Sequence, residues 1–564
     1  MRHELPSLEH VDTLCLKALR RLVSGLAERA RVAEASYEVV ADNERALSEE
    51  NASLHLENAN LKAENQKLRD ELARVKNLPS RPSVRSSGME KNTEPDRVSS
   101  EGVDGQSKRR RGPKQDTDRV DREVVLYAEV PAGSRFKGYK SCYVRELVLR
   151  AEVVHYRREY WITPDGQTVL APLPPGIVGG YGPNLRQFCL MLHNQGQVTT
   201  ERLSTLLNDI GVEISKRQVV RLLTKSLDGF VAEDAAVLHA GLVSAAYVTV
   251  DDTGARHARN NFYTTHIGGQ HFTVFRTTKT KSRLNFLTLL RGNYTDYVLN
   301  DAAYDYLQQR KIDPTLIARL RRQGSRYFQN KMPFLRHLMR NGMTPTDKDA
   351  LQIVSEAGLW GTIRYHGLLG DTVIISDDAG QFRVGNHALC WVHSERLLQK
   401  LMPATQRQVQ LVENIRDLIW SFYKALKAFR QKPAPGSIKA FGQRFERIFS
   451  MRTGYEDLDK LLTRLLRRKA ELLRVLERPE IPLHTNASEN DLRSCVTKRK
   501  ISGGTMSRDG LIARDTMLGL MKTCKKLGLS FWHFLGDRLM TQGRCDAIPP
   551  LPTLVMSRSL QLAG

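Results

Sequence analysis

Two apolar runs place the strongest limit on what this chain can fold into. "AAYVTVDDTG" (245–254) and "DTVIISDDAG" (371–380) each carry a strand-like stretch straight into paired aspartates. Short runs rich in β-branched residues suit a buried strand. Adjacent carboxylates resist burial, because like charges repel and desolvation disfavours the ionised form. The pattern predicts two strands that end at their acids, Asp251–Asp252 and Asp377–Asp378. A solvated turn would accommodate either pair. A site for hard divalent cations would account for both, since Mg²⁺ prefers carboxylate oxygens.

The surrounding pattern is α/β. After the first acids, "FYTTHIGG" and "QHFTVFRT" predict a hairpin turning at Gly268–Gly269, with a helix near 282–292. Before that helix, Lys279, Lys281 and Arg283 form a basic turn, either solvated or facing phosphate. "HALCWVHSERLLQKL" (387–401) reads as a short strand leading into a helix. Residues 406–478 are helical in pattern, and "LTRLLRRKAELLRVLER" reads as a packing helix with a solvated basic face, the alternative being a DNA clamp. A further helix opens near Ala487, capped by Asn486 or Ser488, and carries Glu489 in its first turn. The helix dipole alone would favour an acid there.

Asp251, Asp377 and Glu489 are the candidate set: two strand ends and a helix that can converge on two metal ions. Such a pair serves phosphodiester chemistry, one ion activating the attacking oxygen and the other stabilising the leaving oxygen. Arg493, one turn past Glu489, would pair with it or hold a phosphate; Lys498, Arg499 and Lys500 follow. "DYVLNDAAYDYL" (296–307) also resembles a strand ending in an acid, so Asp301 rivals Asp377 as the second carboxylate. Cys390 and His393 form C-x-x-H, too few ligands for zinc. Cys390 and Trp391 are expected in the core, with His393 and Arg396 facing the pocket or DNA. His257 and His266 are read as surface or structural.

The partner follows from charge. The 564-residue chain carries a net +24. Residues 36–76 hold nine acidic and six basic side chains (9 − 6 = 3 excess acids), so the remainder carries +27. Such a body favours a polyanion, and nucleic acid above all. Helical stretches at about 184–194, 199–210 and 215–228, with Thr200 and Ser215 as N-caps, suit a helix-turn-helix. Its last helix would present Lys216, Arg217, Gln218 and Arg221 to DNA. "SKRRRGPK" (107–114) adds Arg109, Arg110 and Arg111 as a disordered basic arm or a solubilising segment.

Leu47, Leu54, Leu61, Leu68 and Val75 recur every seven residues, with Asn51, Asn58 and Asn65 at the facing positions. Leucine at d and asparagine at a describe a parallel coiled coil, hence a homodimer or higher assembly. The alternative is one solvated helix. A bZIP reading fails, because residues 11–35 are apolar and contain Gly25 where a basic helix is required. Seven scattered cysteines without a C-x-x-C pair argue for reduced thiols in a cytosolic protein. The N-terminus lacks a signal-peptide core and no run is long and apolar enough to span a membrane.

"VDDTGARH", "IISDDAGQF", "HALCWVHSERLLQKL" and "LHTNASENDLR…KRKISGGT" resemble, in order, the blocks of the IS66 family of bacterial insertion-sequence transposases, over roughly residues 180–540. The resemblance implies an RNase H-like catalytic core with a DDE triad, Asp251, Asp377 and Glu489, and two Mg²⁺ ions, with Mn²⁺ as a substitute. It also implies element inverted repeats and target DNA as substrates, accessory proteins of the same element, and a bacterial cytoplasmic, nucleoid-associated location. Where that family often carries a cysteine-rich segment, this chain has only Cys142, so no zinc is expected. The expected organisation is an N-terminal coiled-coil helix (1–77), a flexible basic linker (78–122), a β-rich segment plus helix-turn-helix region (123–235), an α/β catalytic domain (240–540) with helical insertions at about 302–370 and 403–480, and a tail (541–564). A DNA-binding regulator or inactive transposase remnant would share the fold, and a nuclease that only cleaves would share the site.

Overall fold

The computed structural model describes residues 120–561 apart from 121, 141, 323, 325, 345 and 542–546, with a few isolated positions before 32. The heptad segment 36–76 and the Arg109–Arg111 cluster lie outside the described residues. The chain divides into two compact units, one of residues 1–85 with 401–414 and one of residues 86–400 with 415–564. The second holds the sheet and the candidate site.

The described residues of 123–159 form no strand, contrary to the alternation in the sequence; beyond them β1 (Tyr160–Ile162) pairs with β2 (Thr168–Leu170). The apolar side chains there find no facing layer: Leu126, Tyr127 and Val153 are all largely exposed. A strand face without a covering layer gains too little burial to fix the backbone.

Three helices follow: α1 (Pro183–Asn194), α2 (Thr200–Asp209) and α3 (Lys216–Thr224). Thr199, not Thr200, caps α2, its side chain accepting from the Arg202 amide. Ser215 caps α3 in a reciprocal box with Gln218. α3 stops four residues earlier than its pattern predicts, because Ser226 adopts a left-handed backbone before α4 (Asp228–Ser244) begins. Leu203, Leu207, Val219 and Leu222 form the buried seam.

The central sheet has five strands in the order β5–β4–β3–β8–β9. β3 (Tyr247–His257), β4 (Asn260–Gly268) and β5 (Thr273–Thr278) are an antiparallel meander; β8 (Val373–Ser376) and β9 (Asn386–Leu389) run parallel to β3. β8 is buried at all four positions, as a central parallel strand covered on both faces must be. β3 does not end at Asp251. It runs six residues further, because β4 pairs with it from Thr249↔Gly268 to His257↔Asn260 and supplies the ladder bonds that a lone strand end would lack.

Between β5 and β8 lie α5 (Arg283–Arg291), a small separate sheet of β6 (Tyr297–Leu299) and β7 (Arg326–Phe328), α6 (Asp301–Gln309), α7 (Pro314–Arg321), α8 (Lys331–Arg340) and α9 (Lys348–Tyr365). After β9 come α10 (Trp391–Gln399) and α11 (Gln406–Gln431), then α12 (Ile438–Phe449), α13 (Glu456–Leu466), α14 (Lys469–Leu472) and α15 (Arg474–Glu477). The single basic helix expected over 462–478 is thus broken into three pieces. Trp391 anchors this helical segment: its ring meets those of Phe422, Phe445 and Phe449, and its indole N–H donates to Leu472 O at 2.9 Å.

α16 (Asn486–Ser502) and α17 (Arg508–Lys526) then cover the meander. Neither Asn486 nor Ser488 caps α16; the N-cap position is Thr485. Gly504 lets the chain pass against β3, where a Cβ would stand 2.4 Å from Arg256 O. α18 (Phe531–Arg538) packs on α1, and α19 (Leu551–Gln561) packs on α4 with Leu551 and Val555 buried, so the C-terminal stretch is not a loose tail. Among the described residues no helix is long and apolar enough to cross a membrane.

Candidate active site

The parallel register of β3 and β8 pairs Tyr247 with Val373 and Thr249 with Ile375. Carried two residues on, it sets Asp251 beside Asp377, on strands about 4.8 Å apart. Asp251 is half-buried. Burial, with the Asp377 charge adding to it, pushes its carboxyl up to about 6, although the Asp252 amide donates to its Oδ1 at 2.7 Å. Asp377 Oδ1 accepts from the Ala379 amide at 3.0 Å.

The second member of each pair is committed elsewhere. Asp252 accepts from Gln381 Nε2 at 2.8 Å and lies 3.8 Å from Lys281 Nζ. Asp378 is bound by Arg464, by Arg468 at 2.9 Å and by Arg383 at 3.3 Å. Burial works against its charge, but these arginines hold its carboxyl below the usual range. Two cations of the basic turn before α5 are used internally, Arg283 donating to Gly380 O in the loop after Asp377 and Lys281 facing Asp252, while Lys279 is exposed.

Glu489 meets the group on α10. Arg396 Nη1 donates to Glu489 Oε1 at 2.8 Å, Nη2 to Oε2 at 3.3 Å, and His393 Nε2 lies 3.3 Å from Oε1. Of the two roles open to Arg493, the exposed position it takes leaves the Glu489 contact to Arg396 and keeps the phosphate role open. Burial opposes charging of His393, yet its contacts with Cys390 and Glu489 raise its pKa to about 9. That cationic imidazole also favours ionisation of Asp251. The segment before Glu489 is pinned to the same helix start: the Thr485 amide donates to Cys390 Sγ at 3.3 Å, and Trp391 N to Leu483 O at 2.9 Å. Cys390 and Trp391 are core residues, as expected.

His393 and Arg396 line a cavity of about 470 Å³ together with Asp377, Asp378, Lys400 and Arg464. Asp251 and Asp377 are therefore neighbours, and His393 and Arg396 stand between that edge and Glu489. Among the described residues, no three His, Cys, Asp or Glu side chains are gathered closely enough to hold a metal ion. Asp301 lies at the start of α6 beside the small sheet, 83% exposed and 2.9 Å from Arg321. It takes no part in this edge.

Asp491, which no sequence signal marked, sets the position of α16. It binds buried His266 (3.3 Å), Thr273 Oγ1 (2.8 Å) and Lys526 (2.9 Å). Burial disfavours its charge, but His266 and Lys526 hold the carboxyl well below the usual range. Lys498 is also corrected: it is buried, with Nζ donating to His193 O at 2.5 Å, and does not face solvent. Lys500 is exposed. On α3, Lys216, Arg217 and Arg221 are exposed, with Lys216 3.1 Å from Glu201, while Gln218 is used in the cap.

Two comparisons bear on this arrangement. Residues 377–513 match the family model described as "Transposase IS66 family", a stretch that contains Asp377 and Glu489 but starts after Asp251. A relative described as "Uncharacterized protein y4jO", from Sinorhizobium fredii (strain NBRC 101917 / NGR234), is 70% identical over 323 residues, covering 57% of this chain and 100% of the relative.

Proposed function

The chain belongs to the IS66 family of transposases, and from that premise we propose that it cuts insertion-sequence ends and joins their 3′-hydroxyls to target DNA. The observation that carries the proposal is the β3–β8 register, which brings Asp251 and Asp377 together at the C-terminal end of β8. A three-stranded meander followed by two strands parallel to its first supports an RNase H-like core.

Asp251 and Asp377, two half-buried carboxylates set side by side, suit a hard divalent cation such as Mg²⁺. Asp251 and Asp377 are the residues that would hold it, and Glu489, held here by Arg396 and His393, would complete the set on release from that contact. When bound, the metal supplies activation of the attacking oxygen and stabilisation of the leaving oxygen. The chain's own groups do the rest. Asp252 and Asp378, neutralised by Lys281 and by Arg464 and Arg468, fix the backbone beside Asp251 and Asp377. Arg396, Lys400 and Arg464, which line the cavity beside Asp377, attract and orient a phosphate. No side chain is asked to form a covalent bond to DNA. The exposed cations of α3 would grip the inverted repeat, with self-association through 36–76, the Arg109–Arg111 arm and accessory proteins contributing to end pairing in the bacterial cytoplasm.

The test is Mg²⁺-dependent cleavage and joining of element-end DNA. Asp251→Asn, Asp377→Asn and Glu489→Gln are each expected to lower both activities at least about a hundredfold, a loss on the scale of removing a main electrostatic contributor; Asp301→Asn is expected to retain them. Mg²⁺ should also raise the melting temperature of the wild type but not of Asp251→Asn, because a ligand of the folded state stabilises it. Binding without cleavage in the wild type would assign the chain to the regulator class, and cleavage without joining to the nucleases.

A further inference from the structure

The cavity beside Asp377 ends at Arg464, and there a second one begins. This second cavity, of about 530 Å³, is lined by Arg452, Lys460, Arg464 and Arg467, with Glu456 and Asp459. Arg464 lines both. α13 explains the arrangement: Leu458, Leu461, Leu462 and Leu465 bury one face. Lys460 and Arg464, with Arg467 just past the C-terminus, fall at i, i+4 and i+7 and make a stripe on the other, with all three exposed. Arg452 joins its flank by donating to Thr463 Oγ1 at 3.3 Å.

The two acids do not cancel this stripe. Asp459 is consumed locally, accepting from the Thr453 amide and hydroxyl at 2.8 Å each and from the Gly454 amide at 3.2 Å. Glu456 pairs with Lys460 at 2.6 Å, but both side chains are exposed, and such surface pairs contribute little and yield readily to a stronger anion.

We infer that Lys460 and Arg467, with Arg452, bind the sugar–phosphate backbone of the DNA that leaves the Asp377 end, while Arg464 stays on Asp378. The helical segment between the second and third acids then guides a strand as well as packing on the core. This inference rests on the transposase reading above. Geometry favours a nucleic-acid backbone. The stripe is linear, starts at the edge where a phosphate is to be cut, and spans about 10 Å over seven helical residues. That is the length of about three nucleotide steps along a duplex.

The experiment titrates the full chain against a mixed-sequence DNA duplex over a potassium chloride series. Wild type is compared with the triple variant Arg452→Gln/Lys460→Gln/Arg467→Gln, which leaves Arg464 and its Asp378 contact in place. Each lost phosphate contact should reduce the slope of log affinity against log salt by about one, so the variant's slope should be shallower by about two to three. Its low-salt affinity should fall at least tenfold. The charge-keeping variant Arg452→Lys/Lys460→Arg/Arg467→Lys should retain the wild-type slope, which separates loss of charge from loss of fold. An unchanged slope in the glutamine variant overturns the inference and leaves the stripe to an acidic protein or to solvent. Failure of the wild type to bind DNA at all would overturn the transposase reading with it.

Discussion

Asp251 and Asp252 have the same chemistry and adjacent positions, yet their neighbours give them different work. Asp252 is met by Gln381 and Lys281, whereas Asp251 meets Asp377. The same division holds between Asp378, wrapped by three arginines, and Asp377. Nothing within "DDTG" or "SDDAG" distinguishes the members of a pair, because most of the partners are distant: Gln381 lies 129 positions from Asp252, and Arg464 and Arg468 lie 86 and 90 from Asp378, with Arg383 alone nearby. Lys498 shows the same effect in a basic run. Its neighbours in "KRK" reach the surface or near it, while Lys498 points inward to His193. Burial, reinforced by Arg514, depresses its pKa to about 7 from an ordinary 10.5. Between those values the unfolded chain binds the extra proton, so stability should rise as pH goes from about 7 towards 10.5. Lys498→Met should flatten that rise in a series of thermal melts across the window, leaving melts below pH 7 parallel to those of the wild type.

At the scale of single elements, local sequence was informative where the cause is local. "ISKRQVV" contains both halves of a capping box, and Ser215 and Gln218 make it. Ser215→Ala should cost about 1 kcal/mol, measured as a shift in the denaturation midpoint without a change in its slope. Arg217→Ala and Arg221→Ala, on exposed positions of the same helix, should weaken DNA binding without moving that midpoint. α13 was legible in part: the leucine spacing identified a packing helix, but its basic face could not be assigned to solvent or to a ligand from spacing alone. The β3 strand was read too short. A carboxylate pair is a poor strand former when considered alone, and the ladder from β4 that carries the chain through it is a pairing between strands. Residues 123–159 went the other way, since alternation without a covering layer yields no sheet.

For the molecule as a whole, the net charge of +24 and the cationic surfaces of α3 and α13 predict a strongly salt-dependent DNA affinity. Six to ten phosphate contacts would lower it by about 10³-fold or more between about 50 and 200 mM salt. A binding titration at the two salt concentrations checks this, and a loss of less than about tenfold would contradict an electrostatic mode. Sequence alone sufficed for the α/β class, the order of elements around both acids, the cap of α3 and the expectation of a polyanion partner. Each depends on interactions within a few residues or on summed charge. Tertiary structure alone decided which aspartate of each pair stays at the edge, that Arg396 rather than Arg493 meets Glu489, that Lys498 is inside, and that Asp491 holds α16 in place. Those outcomes depend on partners distant in the chain, and the energy of a charge is set by what surrounds it after packing rather than by its sequence neighbours.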